Sequence, residues 1–297
     1  MTTEANNDPI VRDAGKSSDL RHFIKILLGR GVVIFGVVVI IVFIILSIFA
    51  PWIAPYGEND QDMLQTLASP SLSHWLGTDE LGRDVLSRVI YGSRISLLVG
   101  LVSTIISGVI GMSLGLLAGF MGGWVNSAIM RFIDALLALP PLILMLAISA
   151  ILGNGLLNVL VALGIGMMPT YCRLMCGQVI TVRERDFILV ARGMGASNLR
   201  IMLRHVLPNT FPPLLVLVTI NLGTAIMAEA SLSFLGIGIL PPTASWGAMV
   251  TQGYRFLLTN PLVSFTPGLA ILVVVLAFNM FGDGLRDALD PRLRGLI

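Results

Sequence analysis

The segment RERDFILVARGMGASNLRIMLRHVLPN, residues 183–209, lies between two long apolar segments. On a helical wheel its residues separate into two faces. The apolar face holds Phe187, Val190, Met194 and Ile201, and the basic face holds Arg185, Arg192 and Arg200. Gly193 and Gly195 permit a break, so one long helix and two short helices joined by a turn are both compatible with the pattern. A basic amphipathic element of this kind lies on anionic lipid or docks onto a soluble partner.

The composition is that of an integral membrane protein. Of the 297 residues, 55% are hydrophobic and only 12% are charged, whereas soluble globular domains carry about 25% charged residues. The two cysteines, Cys172 and Cys176, stand four residues apart in an apolar segment. Two isolated thiols provide neither a disulfide framework nor a metal site, so they are interpreted as packing residues.

Six apolar segments predict an all-α polytopic membrane protein with six transmembrane helices. The predicted spans are 32–49, 95–120, 129–152, 156–175, 212–228 and 267–284. They are joined by a tail (1–31), an external segment (50–94), a cytoplasmic loop (176–211), an external loop (229–266) and a C-terminus (288–297), with residues 95–287 forming the core. Pro140 and Pro141 should kink the third span, and Asp134 should pair with Arg131 on the same helix.

A row of small residues predicts where two spans approach closely. Ser107, Gly111, Gly115, Gly119 and Gly123 recur every four residues and form one helix face. Basic residues then orient the chain. With both termini in the cytoplasm, only Arg83, Arg88, Arg94 and Arg255 fall outside, so the positive-inside rule favours this topology.

Four residues of the opening segment stand at the spacing of the EAA loop of ABC-importer permeases, which the segment resembles. They are Ala191, Gly195, Leu207 and Pro208. Leu189, Val190 and His205 stand where the family usually has Glu, Ala and Ile, so the family's first acidic contact is not carried over. Three further stretches, residues 76–97, 231–250 and 278–293, resemble the second permease subunit of peptide and nickel importers, the dipeptide and oligopeptide type.

The resemblance implies a type I ABC importer permease fold and a bacterial inner (plasma) membrane location. It also implies a coupling helix that docks in a cleft of an ATPase subunit, with Gly195 allowing a close turn and Pro208 ending the docking helix. The candidate coupling residues are Ala191, Arg192, Gly193, Gly195, Ala196, Arg200, Leu207 and Pro208. No catalytic residue, metal site or cofactor is expected on this chain, because ATP and Mg would be bound by partner subunits.

The partners implied are a homologous second permease, one or two ABC ATPases and an extracytoplasmic substrate-binding protein, together with membrane lipid and no nucleic acid. The candidates for lining a translocation path are Thr219, Asn221, Thr224, Glu229 and Asn279. Interhelical hydrogen bonding is the alternative role for these side chains. Opposite charges three to five apart predict an external helix with Asp79, Arg83, Asp84 and Arg88, which either contacts the binding protein or is solvated.

Two other classes of protein are alternatives. An ion-driven secondary transporter would require ionisable groups near the membrane midplane or an inverted repeat, and the spans show almost none of the former and no convincing repeat. An intramembrane hydrolase using Ser113 or a cysteine would require a paired base, and the three histidines are not placed for that. The sequence leaves the substrate open among di- and oligopeptides, glutathione, nickel chelates and opines.

Overall fold

The computed structural model describes residue 27 and residues 29–289, and in this part the regular secondary structure is helical apart from one isolated β-bridge, Thr78–Asp84. A single 3₁₀ turn (Met63–Gln65) and a π turn (Met202–Val206) complete the helical elements. In chain order the α-helices are α1 (Gly31–Ile48), α2 (Ala50–Ile53), α3 (Val85–Met121), α4 (Gly123–Leu137), α5 (Pro141–Leu152), α6 (Leu156–Arg183), α7 (Asp186–Gly193), α8 (Asn198–Ile201), α9 (Leu207–Phe234), α10 (Trp246–Tyr254) and α11 (Leu262–Leu289).

Five helical elements in the described residues are long and apolar enough to cross a membrane, namely α1, α3, α6, the continuous element 198–234 and α11. The pair α4 and α5 passes the same test together but is bent by 89°. Pro140 caps α5 and Pro141 opens it, so the missing proline N–H groups fall where a helix needs none. The predicted kink is therefore confirmed, and the spans number six if the bent pair is one span.

The helix α3 begins at Val85, although hydropathy placed the second span at residues 95–120. Residues 85–94 include Arg88 and Arg94, which lower the local hydropathy. Arg88 is only 1% exposed and is enclosed by protein, whereas Arg94 is exposed. A hydropathy window has no means of recognising such enclosed charges.

The glycine row on α3 packs against α6. A Cβ at Gly111 would lie 2.5 Å from the carbonyl oxygen of Met168, and one at Gly115 would lie 2.4 Å from that of Cys172. One at Gly119 would approach Cβ of Val179 to 2.7 Å. Close packing through these glycines is confirmed, while Gly123 lies outside the contact because it begins α4 with nothing near it.

Two ion pairs join parts of the chain that are distant in the sequence. Arg30, just before α1, contacts Asp287 near the end of α11 at 2.5 Å. Asp134 of α4 pairs with Arg173 of α6, so the predicted pairing with Arg131 on its own helix is wrong. Asp134 pairs with Arg173 on the other helix because α4 turns back against α6, which brings Arg173 within reach. Most of the predicted tail (1–31) and most of the C-terminus (288–297) lie outside the described residues.

Candidate functional site

The opening segment folds as two short helices joined by a turn at Gly195. The Ala196 N–H donates to the carbonyl oxygen of Ala191 at 3.1 Å, and the Gly195 N–H donates to that of Arg192 at 2.9 Å. Gly195 has φ +80°, in the left-handed region. These are the two hydrogen bonds and the glycine of a Schellman motif, which satisfies the last carbonyls of α7. The turn therefore requires the glycine that the sequence placed there.

The second short helix continues into a membrane span. The Ser197 hydroxyl accepts from the N–H of Arg200 at 3.4 Å and caps α8. The chain then passes through the π turn into α9, so residues 198–234 form one helical element. Pro208 lies in the first turn of α9 and does not end a docking helix, contrary to the prediction. The π turn widens the backbone just before Pro208, which lets the helix pass the proline without a break.

The inner face of this segment is fixed to the rest of the chain. Ile188 and Ile201 are fully buried and Ala191 is nearly so, packed in one apolar cluster with Phe120 and Val206. The wheel had placed Ile201 with Phe187, Val190 and Met194, but a single wheel does not hold across the turn at Gly195. Once the helix is broken, α7 and α8 bury different sides.

The outer face remains apolar and exposed. Val190, Met194 and Leu199 are 58%, 77% and 61% exposed. We call the set of exposed apolar side chains on this segment the coupling surface; it comprises Phe187, Leu189, Val190, Met194, Leu199 and Leu203. A groove of ≈ 690 Å³ adjoins it, lined by the end of α3 together with Arg183, Arg192 and Leu199. Exposed apolar patches of this kind mark sites of interaction with a protein or with a membrane.

Arginines brace the segment against the end of α3. Nη1 of Arg183 donates to the carbonyl oxygens of Gly119 (3.1 Å) and Phe120 (3.3 Å), while its Nη2 contacts Oε1 of Glu184 at 3.1 Å. The guanidinium of Arg192 lies 5.8 Å from the centre of the Phe120 ring. A cation at a helix C-terminus is stabilised by the helix dipole, so these contacts hold the ends of α3, α6 and α7 together.

The structure places the eight candidate coupling residues in one segment but gives them two kinds of surroundings. Ala191 is buried and Ala196 and Leu207 are half-buried, so these three serve packing within the chain. The other five are exposed: Arg192, Gly193, Gly195, Arg200 and Pro208. Contact of the exposed group with a partner stays a prediction.

The five candidates for the translocation path are also divided. Thr219 and Asn221 are buried, and the Thr219 hydroxyl donates to the carbonyl oxygen of Val216 at 2.8 Å. Thr224 is exposed and donates to Ile220 of its own helix at 3.2 Å, and Asn279 is half-buried. Glu229 is fully buried and hydrogen-bonded inside the chain. In this conformation Thr224 and Asn279 remain the candidates with access to a path.

The four charged residues expected on an exposed external helix are buried. Asp79, Arg83, Asp84 and Arg88 are 5%, 1%, 3% and 1% exposed. Only Arg88 lies within a helix; Asp79 and Arg83 lie in a turn, and Asp84 caps α3. The prediction of an exposed external helix is therefore wrong, because these residues form a buried scaffold.

The scaffold is held by charge-assisted hydrogen bonds. Oδ2 of Asp79 accepts from Nε of Arg83 at 2.7 Å and lies 3.6 Å from Nε of Arg88. Oδ2 of Asp84 accepts from the N–H of Ser87 at 2.7 Å, and its Oδ1 lies 3.0 Å from Nδ1 of His74. The opposite charges therefore pair inside the protein and not along the surface of a solvated helix.

A junction at the start of α10 was not predicted. The Ala244 N–H donates to Oε1 of Glu58 at 2.6 Å, and the Trp246 N–H donates to Oγ of Ser96 at 3.1 Å. Ser245 caps α10 and its hydroxyl also contacts Glu229. The Ser-Trp-Gly sequence at 245–247 carries an N-cap signal that could have indicated this helix, but the side chains that meet it come from distant parts of the chain.

Comparisons with known proteins agree with this architecture. Residues 111–295 match the family described as "Binding-protein-dependent transport system inner membrane component", and residues 18–70 match the "N-terminal TM domain of oligopeptide transport permease C". The chain is 48% identical over 257 residues to the glutathione transport system permease protein GsiD of Shigella flexneri serotype 5b, covering 86% of this chain and 85% of that protein. It is 46% identical over the same length to GsiD of Escherichia coli O157:H7, with the same coverage.

Solved structures with the same fold include two inward-facing forms of the MetNI methionine ABC transporter. One matches with a TM-score of 0.56 at 21% identity, covering 69% of this chain and 97% of that chain. The other gives 0.54 at 19% identity, covering 68% and 96%. The predicted all-helical importer-permease fold is thus confirmed, and the ion-driven alternative finds no support. The chain belongs to the binding-protein-dependent transport system inner membrane component family and is a permease subunit of an ABC importer of the peptide and nickel type.

Proposed function

We propose that the coupling surface docks onto an ATPase subunit and that this contact drives alternating access in a transmembrane path. The observation that carries the proposal is the contrast between the two faces of α7 and α8. Ile188 and Ile201 are fully buried inside the chain, while Val190 and Met194 are largely exposed. A segment fixed on one side and apolar on the other suits transmission of a rigid-body movement from a partner.

The direction of transmission follows from the chain itself. Residues 198–234 form one helical element, so a displacement of α8 is passed to α9 without an intervening loop. Arg183 and Arg192 connect the same segment to α3. Movement of the coupling surface should therefore reach two spans at once.

The proposed topology places both termini and the coupling surface in the cytoplasm of a bacterium, with the chain in the inner membrane. The distribution of basic residues supports it, since few arginines fall on the other side. ATP and Mg would be bound by one or two ATPase partners, and this chain would hold neither. A second, homologous permease would complete the path, and an extracytoplasmic binding protein would deliver the substrate.

The proposed substrate is glutathione or another small peptide. The curated relatives named above are permeases of glutathione transport systems, and the matched N-terminal family model is that of an oligopeptide permease. Thr224 and Asn279 supply polar groups that a path for such a solute would use. Uptake of labelled glutathione and of labelled dipeptides by cells with and without this chain distinguishes the two.

Site-specific crosslinking tests the docking contact. The two native cysteines, Cys172 and Cys176, are buried, so a thiol-reactive crosslinker should select an introduced cysteine. We expect Val190→Cys, in a complex with the ATPases, to crosslink to an ATPase subunit and to respond to ATP. Leu98→Cys, exposed on the membrane part of α3, is the matched control and should not crosslink to an ATPase subunit. Equal crosslinking of the two variants, or none by Val190→Cys in an active complex, would contradict the proposal.

A further inference from the structure

We propose that Glu229 is a positioning residue that links the coupling surface to α10, the short helix at the far end of α9. The inference rests on the proposed function, because it concerns the route by which movement of residues 183–209, here called the coupling segment, is passed on. A helix rises about 1.5 Å per residue, so Glu229 lies roughly 30 Å from Leu207 along α9. The α9 helix therefore connects the two regions directly.

The carboxylate of Glu229 is enclosed and bound from two elements. The residue is 0% exposed. Its Oε1 accepts from Oγ of Ser233 on α9 at 2.8 Å and from Oγ of Ser245, the cap of α10, at 3.1 Å. The second of these hydrogen bonds joins the span to α10 by side chains alone.

The other carboxylate oxygen faces the backbone of α10. A Cβ built on Gly247 would lie 3.1 Å from Oε2 of Glu229, so the carboxylate lies against the first turn of that helix. Among the described residues Oε2 has no hydrogen-bond partner. A buried polar atom left in this way costs stability.

Two further elements hold the same turn of α10. Oε1 of Glu58 in the external segment accepts from the Ala244 N–H, and Oγ of Ser96 on α3 accepts from the Trp246 N–H. The indole Nε1 of Trp246 donates to the carbonyl oxygen of Val89 at 2.9 Å. The start of α10 is thus the place where α3, α9 and the external segment meet, and Glu229 is the contribution of α9.

This arrangement assigns Glu229 a role beyond packing. Both α3 and α9 are braced to the coupling segment at one end and to α10 at the other. When the coupling segment moves, a change in the relative position of α3 and α9 must be accommodated at the start of α10. The Glu229–Ser245 hydrogen bond would make α10 follow α9, so its loss should uncouple the far end from the ATPases.

The test uses the whole importer in liposomes, with both permeases, the ATPases and the binding protein loaded with glutathione or a dipeptide, whichever the wild type transports. ATP hydrolysis is measured with and without the loaded binding protein for Glu229→Ala, Glu229→Gln and Ser245→Ala. Ser231→Ala is the matched control, because the Ser231 hydroxyl donates only to Met227 of its own helix. Thermal unfolding of each purified complex is recorded alongside.

We expect Glu229→Ala and Ser245→Ala to keep the basal rate and to lower the stimulation by the binding protein about fivefold or more, as loss of a coupling contact should. Glu229→Gln, which keeps an accepting oxygen, should retain more stimulation, and Ser231→Ala should match the wild type. If the complex with Glu229→Ala does not assemble, the stimulation measured for Glu229→Gln and Ser245→Ala tests the inference.

Normal stimulation in the variants would overturn the inference alone. A parallel fall in basal rate, stimulated rate and unfolding temperature would also overturn it, because that result indicates a structural role. Absence of stimulation in the wild type would contradict the proposed function itself, and the two failures are therefore distinguishable.

Discussion

Nη1 of Arg183 donates a hydrogen bond to the carbonyl oxygen of Gly119 across 3.1 Å and joins the end of α6 to the end of α3. The glycine that accepts this bond also lets α3 approach α6, since a Cβ there would meet Val179 at 2.7 Å. One position therefore serves both close packing and capping. The first helix of the coupling segment, α7, begins three residues later, at Asp186, on a base fixed by these contacts.

Arg183→Ala should destabilise the protein by about 1–2 kcal/mol, because hydrogen bonds from a charged group to the last carbonyls of α3 are lost. Arg183→Lys should recover only part of this, since one ammonium does not reproduce the spread donors of a guanidinium. Thermal unfolding in detergent measures the effect. Arg185→Ala, exposed and next to the same helix end, is the control and should unfold like the wild type. Equal stability of Arg183→Ala and the control would show that the cap contributes nothing.

Gly115→Ala should destabilise the packing of α3 against α6. The new methyl group would lie 2.4 Å from the carbonyl oxygen of Cys172, a backbone atom that moves only with its helix. Overpacking of this kind costs about 1–3 kcal/mol. Gly177→Ala is the matched control on α6, where an added Cβ meets nothing within 4 Å. Thermal unfolding of both variants should separate them, and an unchanged Gly115→Ala would mean that the two helices can move apart without loss.

The sequence predicted the spans and the glycine contact because lipid exposure and close helix approach each leave a local pattern. Hydropathy follows the side chains that face lipid, and small residues every four positions mark one helix face. Prediction from the sequence failed where contacts between distant residues decide whether a side chain is buried or exposed. The charges at Asp79 and Arg83 have the spacing of a solvated helix, but they pair inside the protein.

Local sequence also failed to predict the contacts near the two ends of α9. The helical wheel assumed one phase for residues 187–201, and the Schellman turn at Gly195 resets that phase, so the buried face was misassigned. The contact of Glu229 with Ser245 joins a span to a loop helix, and nothing in the local sequence indicates that pairing. The glycines indicated a break in this segment, whereas its inner and outer faces required the fold.

Gly195→Ala should weaken coupling between ATP hydrolysis and transport, whereas Gly193→Ala should not. Gly195 has φ +80°, and a side chain in the left-handed region costs about 1–2 kcal/mol. Gly193 lies within α7 with open space around it, so alanine there favours the helix by up to about 1 kcal/mol. The ratio of transport to ATP hydrolysis in proteoliposomes is the measurement. Similar ratios for the two variants would show that the turn geometry at Gly195 does not matter for coupling.

Asp79→Ala should destabilise the buried scaffold formed by Asp79, Arg83, Asp84 and Arg88, because it leaves two buried arginines without their shared carboxylate. Oδ2 of Asp79 lies 2.7 Å from Nε of Arg83 and 3.6 Å from Nε of Arg88, and both arginines are 1% exposed. Removing one partner of a buried ion pair costs about 3–5 kcal/mol. Thermal unfolding should detect this loss, while Glu80→Gln, a neighbouring and more exposed carboxylate, serves as the control.

The exposed residue Trp75 provides the complementary experiment on the same segment. It is 69% exposed, so Trp75→Ala should leave the unfolding temperature unchanged while lowering the affinity for the binding protein. If Asp79 itself contacted the binding protein, Asp79→Ala would lower that affinity and leave the unfolding temperature intact. The opposite pattern, with stability lost at Asp79 and affinity lost at Trp75, is expected because the charges support the segment from inside and the apolar side chains present its outer surface.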